Sequence, residues 1–240
     1  MKAIEIKNVS KSFRTSWGTK QLCINDFSLT IDKGTIVVLM GPNGSGKTTL
    51  IKMLLSLLHC DTGDITLLGD TIQSMNARQA VGYLPELPQF PSYLTAEEFL
   101  RFVCSFCDIS KEEKEKRIKE VLDEVGLWLQ RSVIIQKYSK GMKKRLGIAQ
   151  AIITNPEVLI LDEPLDGLDP RGVHIFSRLM KQMREKGKTI FMTTHLLNEI
   201  EDYADKIGII QEGKIVFESD IESLRDKQSL AELYMQFIKT

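Results

Sequence analysis

The stretch "GPNGSGKTTL", residues 41–50, concentrates residue types that handle phosphate. It fits G-x-x-x-x-G-K-S/T at Gly41, Gly46, Lys47 and Thr48. Such glycines permit positive φ and close backbone approach, so successive N–H groups can surround phosphate oxygens. Lys47 then supplies a cation for the β and γ oxygens, and the Thr48 hydroxyl a ligand for Mg²⁺. Pro42, Asn43, Gly44 and Ser45 form the loop between these points. Thr49 continues it, so all are expected against the nucleotide.

Phosphate chemistry of this kind needs carboxylates as well. "VLILDEP" ends an apolar run at Asp162, a position suited to holding Mg²⁺, and Glu163 follows, placed to orient or deprotonate a water. A lone D-E pair is usually a solvated turn; four apolar residues and the phosphate loop favour catalysis. His195 in "FMTTHLLNE" would alone read as a structural histidine. Strand ends in a parallel sheet converge on the ligand, which favours a γ-phosphate sensor. "YSKGMKKRLGIAQ", residues 138–150, adds a helix start with Ser139 as N-cap and Met142, Leu146, Ala149 and Ile153 at helical spacing. By itself this is an ordinary capped helix, although its N-terminus favours an anion.

The elements that must position these residues are legible in outline. "AIEIKNV", "FSLTI", "TIVVLM", "DITLLG" and "AVGYL" read as strands, with "KTTLIKMLLSLL" as a buried helix. From Pro85 to about Asn155 the texture is helical, with capping boxes at Thr95–Glu98 and Ser110–Glu113. In "TAEEFLRFVCSFCDI", Phe99, Phe102, Val103, Phe106 and Cys107 read as the apolar side of a helix. Strands return in "EVLILDEP", "KTIFMTTH", "DKIGII" and "KIVFES", the last two joined by a tight turn at "QEGK". A short amphipathic helix, "SLAELYMQFIKT", closes the chain.

Composition excludes several classes. Lys plus Arg and Asp plus Glu each number 32 in 240 residues, so net charge does not point to a polyanion partner. Met1 leads into an alternating strand pattern, not a signal peptide. No apolar run nears the roughly 18 to 20 residues of a spanning helix, so a soluble chain is expected, acting at a membrane only through a partner. Cys23, Cys60, Cys104 and Cys107 lack further zinc ligands nearby and read as buried or contact thiols in a reducing compartment.

Taken together, these motifs closely resemble the ATP-binding subunits of the ABC transporter superfamily, in the family's order and over nearly the whole chain. The resemblance implies an α/β fold: a P-loop NTPase core with an N-terminal antiparallel β-subdomain and an inserted α-helical subdomain. The expected bounds are 1–86 and 155–218 for the core, 87–154 for the helical part and 219–240 for C-terminal helices. It makes Gly41–Thr48 Walker A, Glu86 the Q-loop position and a candidate Mg²⁺ ligand, and Tyr138–Met142 the signature. Asp162 and Glu163 end Walker B, Asp166–Asp169 form the D-loop, and His195 is the switch histidine. Phe13 in "VSKSF" matches the aromatic that stacks on adenine, with Trp17 as a rival.

In that family the signature helix points at ATP bound to the other subunit, which assigns Ser139, Gly141, Met142 and Asp169 to a nucleotide held by a homodimer or paired ATPase subunit. This chain departs in two places: YSKGM stands for LSGGQ, and Glu86 for the usual glutamine. Lys140 has two possible geometries, reaching the partner's γ-phosphate or pointing outward, and the family pattern favours the second. "YSKGM", "YLPE" and "EPLDGLDP" resemble the branch that serves separate six-helix export permeases, at the cytoplasmic face of the membrane. "FPSYLTAEEFLRFVCSF" would dock the permease. The rival is a soluble ABC-type ATPase in DNA repair, translation or cofactor assembly. Coiled coils, a second ATPase domain or basic extensions would mark a nucleic-acid partner, and the sequence displays none.

Overall fold

A computed structural model describes residues 1–14, 18–106, 110–195, 200–224 and 230–237. Two sheets organise them. The first is antiparallel, in the order β2 (Lys20–Asp32), β1 (Lys2–Arg14), β4 (Thr62–Leu67), β5 (Asp70–Thr71). The second runs β10 (Lys214–Asp220), β9 (Lys206–Gln211), β3 (Ile36–Met40), β8 (Thr189–Thr194), β7 (Val158–Asp162), β6 (Val81–Leu84). Its β9, β3, β8, β7 and β6 are mutually parallel, and β10 pairs antiparallel at the edge. Glu212 at φ 48° and Gly213 at φ 77° make the tight turn into β10, the geometry a two-residue hairpin loop requires.

Every residue of β3, β7 and β8 is buried, as befits parallel strands covered on both faces. Side-chain alternation then divides the interior in two. Ile36, Val38 and Met40 of β3 face one core with Leu159, Leu161, Ile190 and Met192. Val37 and Leu39 face the other, beneath the antiparallel sheet, with Val158, Ile160 and Phe191. The first core takes the helices α3 (Ala96–Cys104), α4 (Lys111–Glu124), α5 (Lys140–Ile152) and α6 (Pro170–Glu185). The second takes α1 (Lys47–Leu54) and, through Ala77, the short α2 (Met75–Gln79).

Both expected capping boxes form, at Thr95 with Glu98 and at Ser110 with Glu113. The face of α3 differs from expectation. Ala96, Phe99, Leu100 and Cys104 are buried, whereas Phe102 and Phe106 are 56% and 79% exposed and meet edge to face with centroids 5.3 Å apart. The burial stripe therefore follows i, i+3, i+4, i+8 from Ala96, and the second Phe pair lies outside it. Cys107 falls outside the described residues. Helix α1 is also shorter than its apolar run: Ser56 turns left-handed at φ 55°, and Leu57 emerges to solvent. Beyond β10 the described residues carry α7 (Leu230–Phe237), whose Leu230 and Leu233 join the helical core.

Candidate active site

Strand β3 delivers the chain to Gly41, where a Cβ would lie 2.4 Å from the Ile210 carbonyl of β9. No side chain fits there. Gly46 sits at φ 110° as the N-cap of α1, and a Cβ on it would meet Ile24 Cδ1 at 2.5 Å. These two positions hold the loop close against β2 and β9. Helix α1 opens with no side-chain cap and no acid in its first turn, which leaves its N-terminal N–H groups for a ligand. Ser45 Oγ is buried without a hydrogen-bond partner among the described residues. A cavity of about 450 Å³ lies in front of this loop, walled by Pro42, Asn43, Gly44, Gly46, Lys47, Thr48 and Thr49.

Across the cavity stand Glu86, Asp162, Glu163, Asp166 and His195. Asp162, at the end of β7, is 1% exposed and accepts a 2.6 Å hydrogen bond from Thr193 Oγ1. Thr193 Oγ1 in turn accepts the Glu163 N–H at 3.1 Å. Glu163 adopts φ 47°, a left-handed conformation that side chains resist and that turns its carboxylate into the cavity. There Oε2 lies 2.9 Å from His195 Nδ1 and Oε1 lies 3.6 Å from Lys47 Nζ. Lys47 Nζ also donates to the carbonyls of Gly41 at 2.7 Å and Pro42 at 3.3 Å.

The cradle fits a nucleotide with its metal. Open N–H groups and Lys47 suit phosphate, and the Thr48 hydroxyl with the Asp162 carboxylate is a hard oxygen set of the kind Mg²⁺ prefers. Glu86 is exposed at the cavity edge.

The signature residues lie elsewhere. Ser139 caps α5 by accepting the Met142 N–H at 3.2 Å. Gly141 packs so closely that a Cβ would reach the Gly167 carbonyl at 3.0 Å. Lys140, its side chain 61% exposed, lies against Asp166 Oδ2 at 3.0 Å and holds that carboxyl below its ordinary pKa. Its stem covers Gly167, where a Cβ would clash at 2.7 Å. Met142 and Asp169 line a separate cavity of about 440 Å³ with Trp128, Arg145 and Arg171. The Asp169 carboxylate caps α6 through the Gly172 N–H at 2.8 Å.

Phe13 ends β1 at 43% exposure and does not line the phosphate cavity. Asp61 braces its strand, accepting from Lys11 Nζ at 2.7 Å and from Ser12 N and Oγ at 2.9 and 2.6 Å. Trp17 lies outside the described residues. Sequence reading missed Asp61, Thr193 and Lys144. The last is a lysine within the buried stripe that continues at Ile148 and Ala151, which is the signal that could have found it.

A parallel sheet with a glycine-lined phosphate loop at a strand end, faced by strand-end carboxylates, defines a P-loop nucleotide-binding protein. The comparisons make the assignment specific. The ABC transporter family model matches residues 24–166. An uncharacterized ABC transporter ATP-binding protein of Synechocystis is 40% identical over 217 residues, covering 89% of this chain and 61% of its own length. The Nod factor export ATP-binding protein I of Burkholderia lata is 36% identical, covering 94% and 73%. The bacitracin transport ATP-binding protein BcrA of Bacillus licheniformis is 38% identical, covering 86% and 68%. Among solved structures, an ATP-binding subunit of an ABC transporter superposes at TM-score 0.88 and 32% identity, covering 99% and 100%. A dimeric ATP-binding cassette in a post-hydrolysis state, bound to ADP and Pi, gives 0.83 at 25%, covering 91% and 98%. The chain belongs to the ABC transporter family, as one of its ATP-binding cassettes. It spans about three-fifths of the length of the Synechocystis relative.

Proposed function

We propose that this chain binds and hydrolyses ATP to drive export through a separate membrane permease, paired head to tail with a second cassette. The observation that carries the reading is the Glu163 carboxylate, held between Lys47 and His195 beside Asp162 in one phosphate-sized cavity. The relative named for Nod factor export supports the direction of transport, the bacitracin transport relative supports transport itself, and the dimeric cassette supports the pairing.

The loop N–H groups and Lys47 would take the phosphates. Lys47 would then exchange the Gly41 carbonyl and the Glu163 carboxylate for β and γ oxygens, releasing Glu163 Oε1 to accept a proton from water. His195 would keep Oε2 oriented. Mg²⁺, held by Thr48 and Asp162 with Glu86 at the edge, would neutralise charge on the phosphate oxygens. Ser139 and the Gly141 N–H lie outside this cavity and would serve the partner's γ-phosphate, with Met142 and Asp169 alongside. Phe13 would stack on adenine from the rim. Among the described residues no helix is long and apolar enough to cross a membrane. The permease would be met through the helical unit.

Glu163→Gln tests the reading. ATP affinity should persist while turnover falls at least about 10²-fold, the lower end for a positioned acid–base group. Turnover at the wild-type rate would remove Glu163 from the role of base.

A further inference from the structure

Lys144 is buried at 2% exposure on α5, the helix whose N-terminus carries the signature. Its ammonium donates to two backbone carbonyls, Glu86 O at 2.7 Å and Glu163 O at 2.8 Å, and among the described residues it forms no ion pair with a carboxylate. These carbonyls belong to the segments after β6 and β7, one carrying the Q-loop carboxylate and the other the candidate base. Thr193 already holds the Glu163 N–H. Lys144 therefore fixes the other end of the same residue, the one that must stay at φ 47° to face the cavity.

We propose that Lys144 is a positioning residue for hydrolysis, holding the backbones of Glu163 and Glu86 to the signature helix so that both carboxylates address the nucleotide. It touches neither phosphate nor water; it acts through the aim of Glu163. A buried lysine is a costly way to satisfy two carbonyls if only the fold is served, since burial disfavours the charged form. An arm three donors wide on one helix can instead hold two loops at fixed separation. Displacement of a catalytic group by even about 1 Å can cost 10²-fold in rate.

The proposal rests on Glu163 being the base, so Glu163→Gln is assayed beside it. In the full-length chain, Lys144→Met keeps the length of the side chain and removes both donors. Its kcat should fall about 10- to 10²-fold, with KM for ATP and calorimetric ATP affinity within about threefold of wild type. Lys144→Gln, whose amide can donate again, should recover to within about fivefold. Loss of activity in Glu163→Gln with a wild-type kcat in folded Lys144→Met would leave the base in place and overturn the proposal. So would equal impairment of the Met and Gln variants. If circular dichroism finds neither variant folded, Lys144 is a residue of the fold and the proposal falls.

Discussion

At the residue scale the phosphate-binding lysine is already engaged by the chain itself. Lys47 spends its donors on the Gly41 and Pro42 carbonyls and lies against Glu163, so phosphate must displace contacts the chain already makes. Lys47→Ala should therefore weaken ATP binding itself, because it removes a cation from the wall of the cavity. Calorimetry with unchanged ATP affinity would count against the phosphate cradle. Lys140 behaves differently. Its pairing with Asp166 is exposed, and such pairs contribute little, about 0 to 1 kcal/mol. Lys140→Gly should leave steady-state ATPase activity within a few-fold. Gly141→Asp should abolish it, since a carboxylate would stand at a helix N-terminus meant for phosphate and a Cβ would press on the Gly167 carbonyl. A 10²-fold loss in Lys140→Gly with ATP binding intact would instead make Lys140 a catalytic cation. The Asp166 carboxyl is held low chiefly by Lys140, so the pair stabilises the loop above the ordinary carboxyl pKa and lets go as pH falls through the lowered value.

Among the elements, α3 decides between packing and docking. Phe99 is 5% exposed and meets Phe90 edge to face at 5.1 Å, while Phe102 faces outward. Phe99→Asp should unfold the helical unit, because an unpaired charge would replace a buried ring. Phe102→Asp should fold and keep basal ATPase activity. Loss of transport in that folded variant would support permease contact; normal transport would exclude it. The sequence displayed this helix and its capping box plainly but not its phase, because Phe99/Val103 and Phe102/Phe106 both lie at helical spacing. Which pair is buried depends on packing against α4 and α5, which the periodicity of α3 alone does not encode. The same limit hid Lys144, whose partners lie 58 and 19 positions away, and Asp61, which reaches Lys11 across 50. The phosphate loop was legible because its residue types are packed into one short stretch, with glycines, a lysine and a threonine at fixed offsets.

On the scale of the whole molecule, the Glu163 machinery lines one cavity, while Met142 of the signature and Asp169 line another and Ser139 and Gly141 line neither. Lys144 and the Lys140–Asp166 pair tie the signature helix to the loops after β6 and β7, yet Ser139 is not among the described residues that line the P-loop cavity. Two copies arranged head to tail would put each signature helix against the other's nucleotide, so ATP should hold the pair together until it is hydrolysed. Glu163→Gln, which keeps the cradle and removes the base, isolates that state. Light scattering during size-exclusion chromatography of this variant measures it directly. Saturating ATP with Mg²⁺ should double the mass, ADP should not, and adding Gly141→Asp should return the ATP-bound variant to a monomer. A monomer at every ATP concentration that saturates binding would contradict the account.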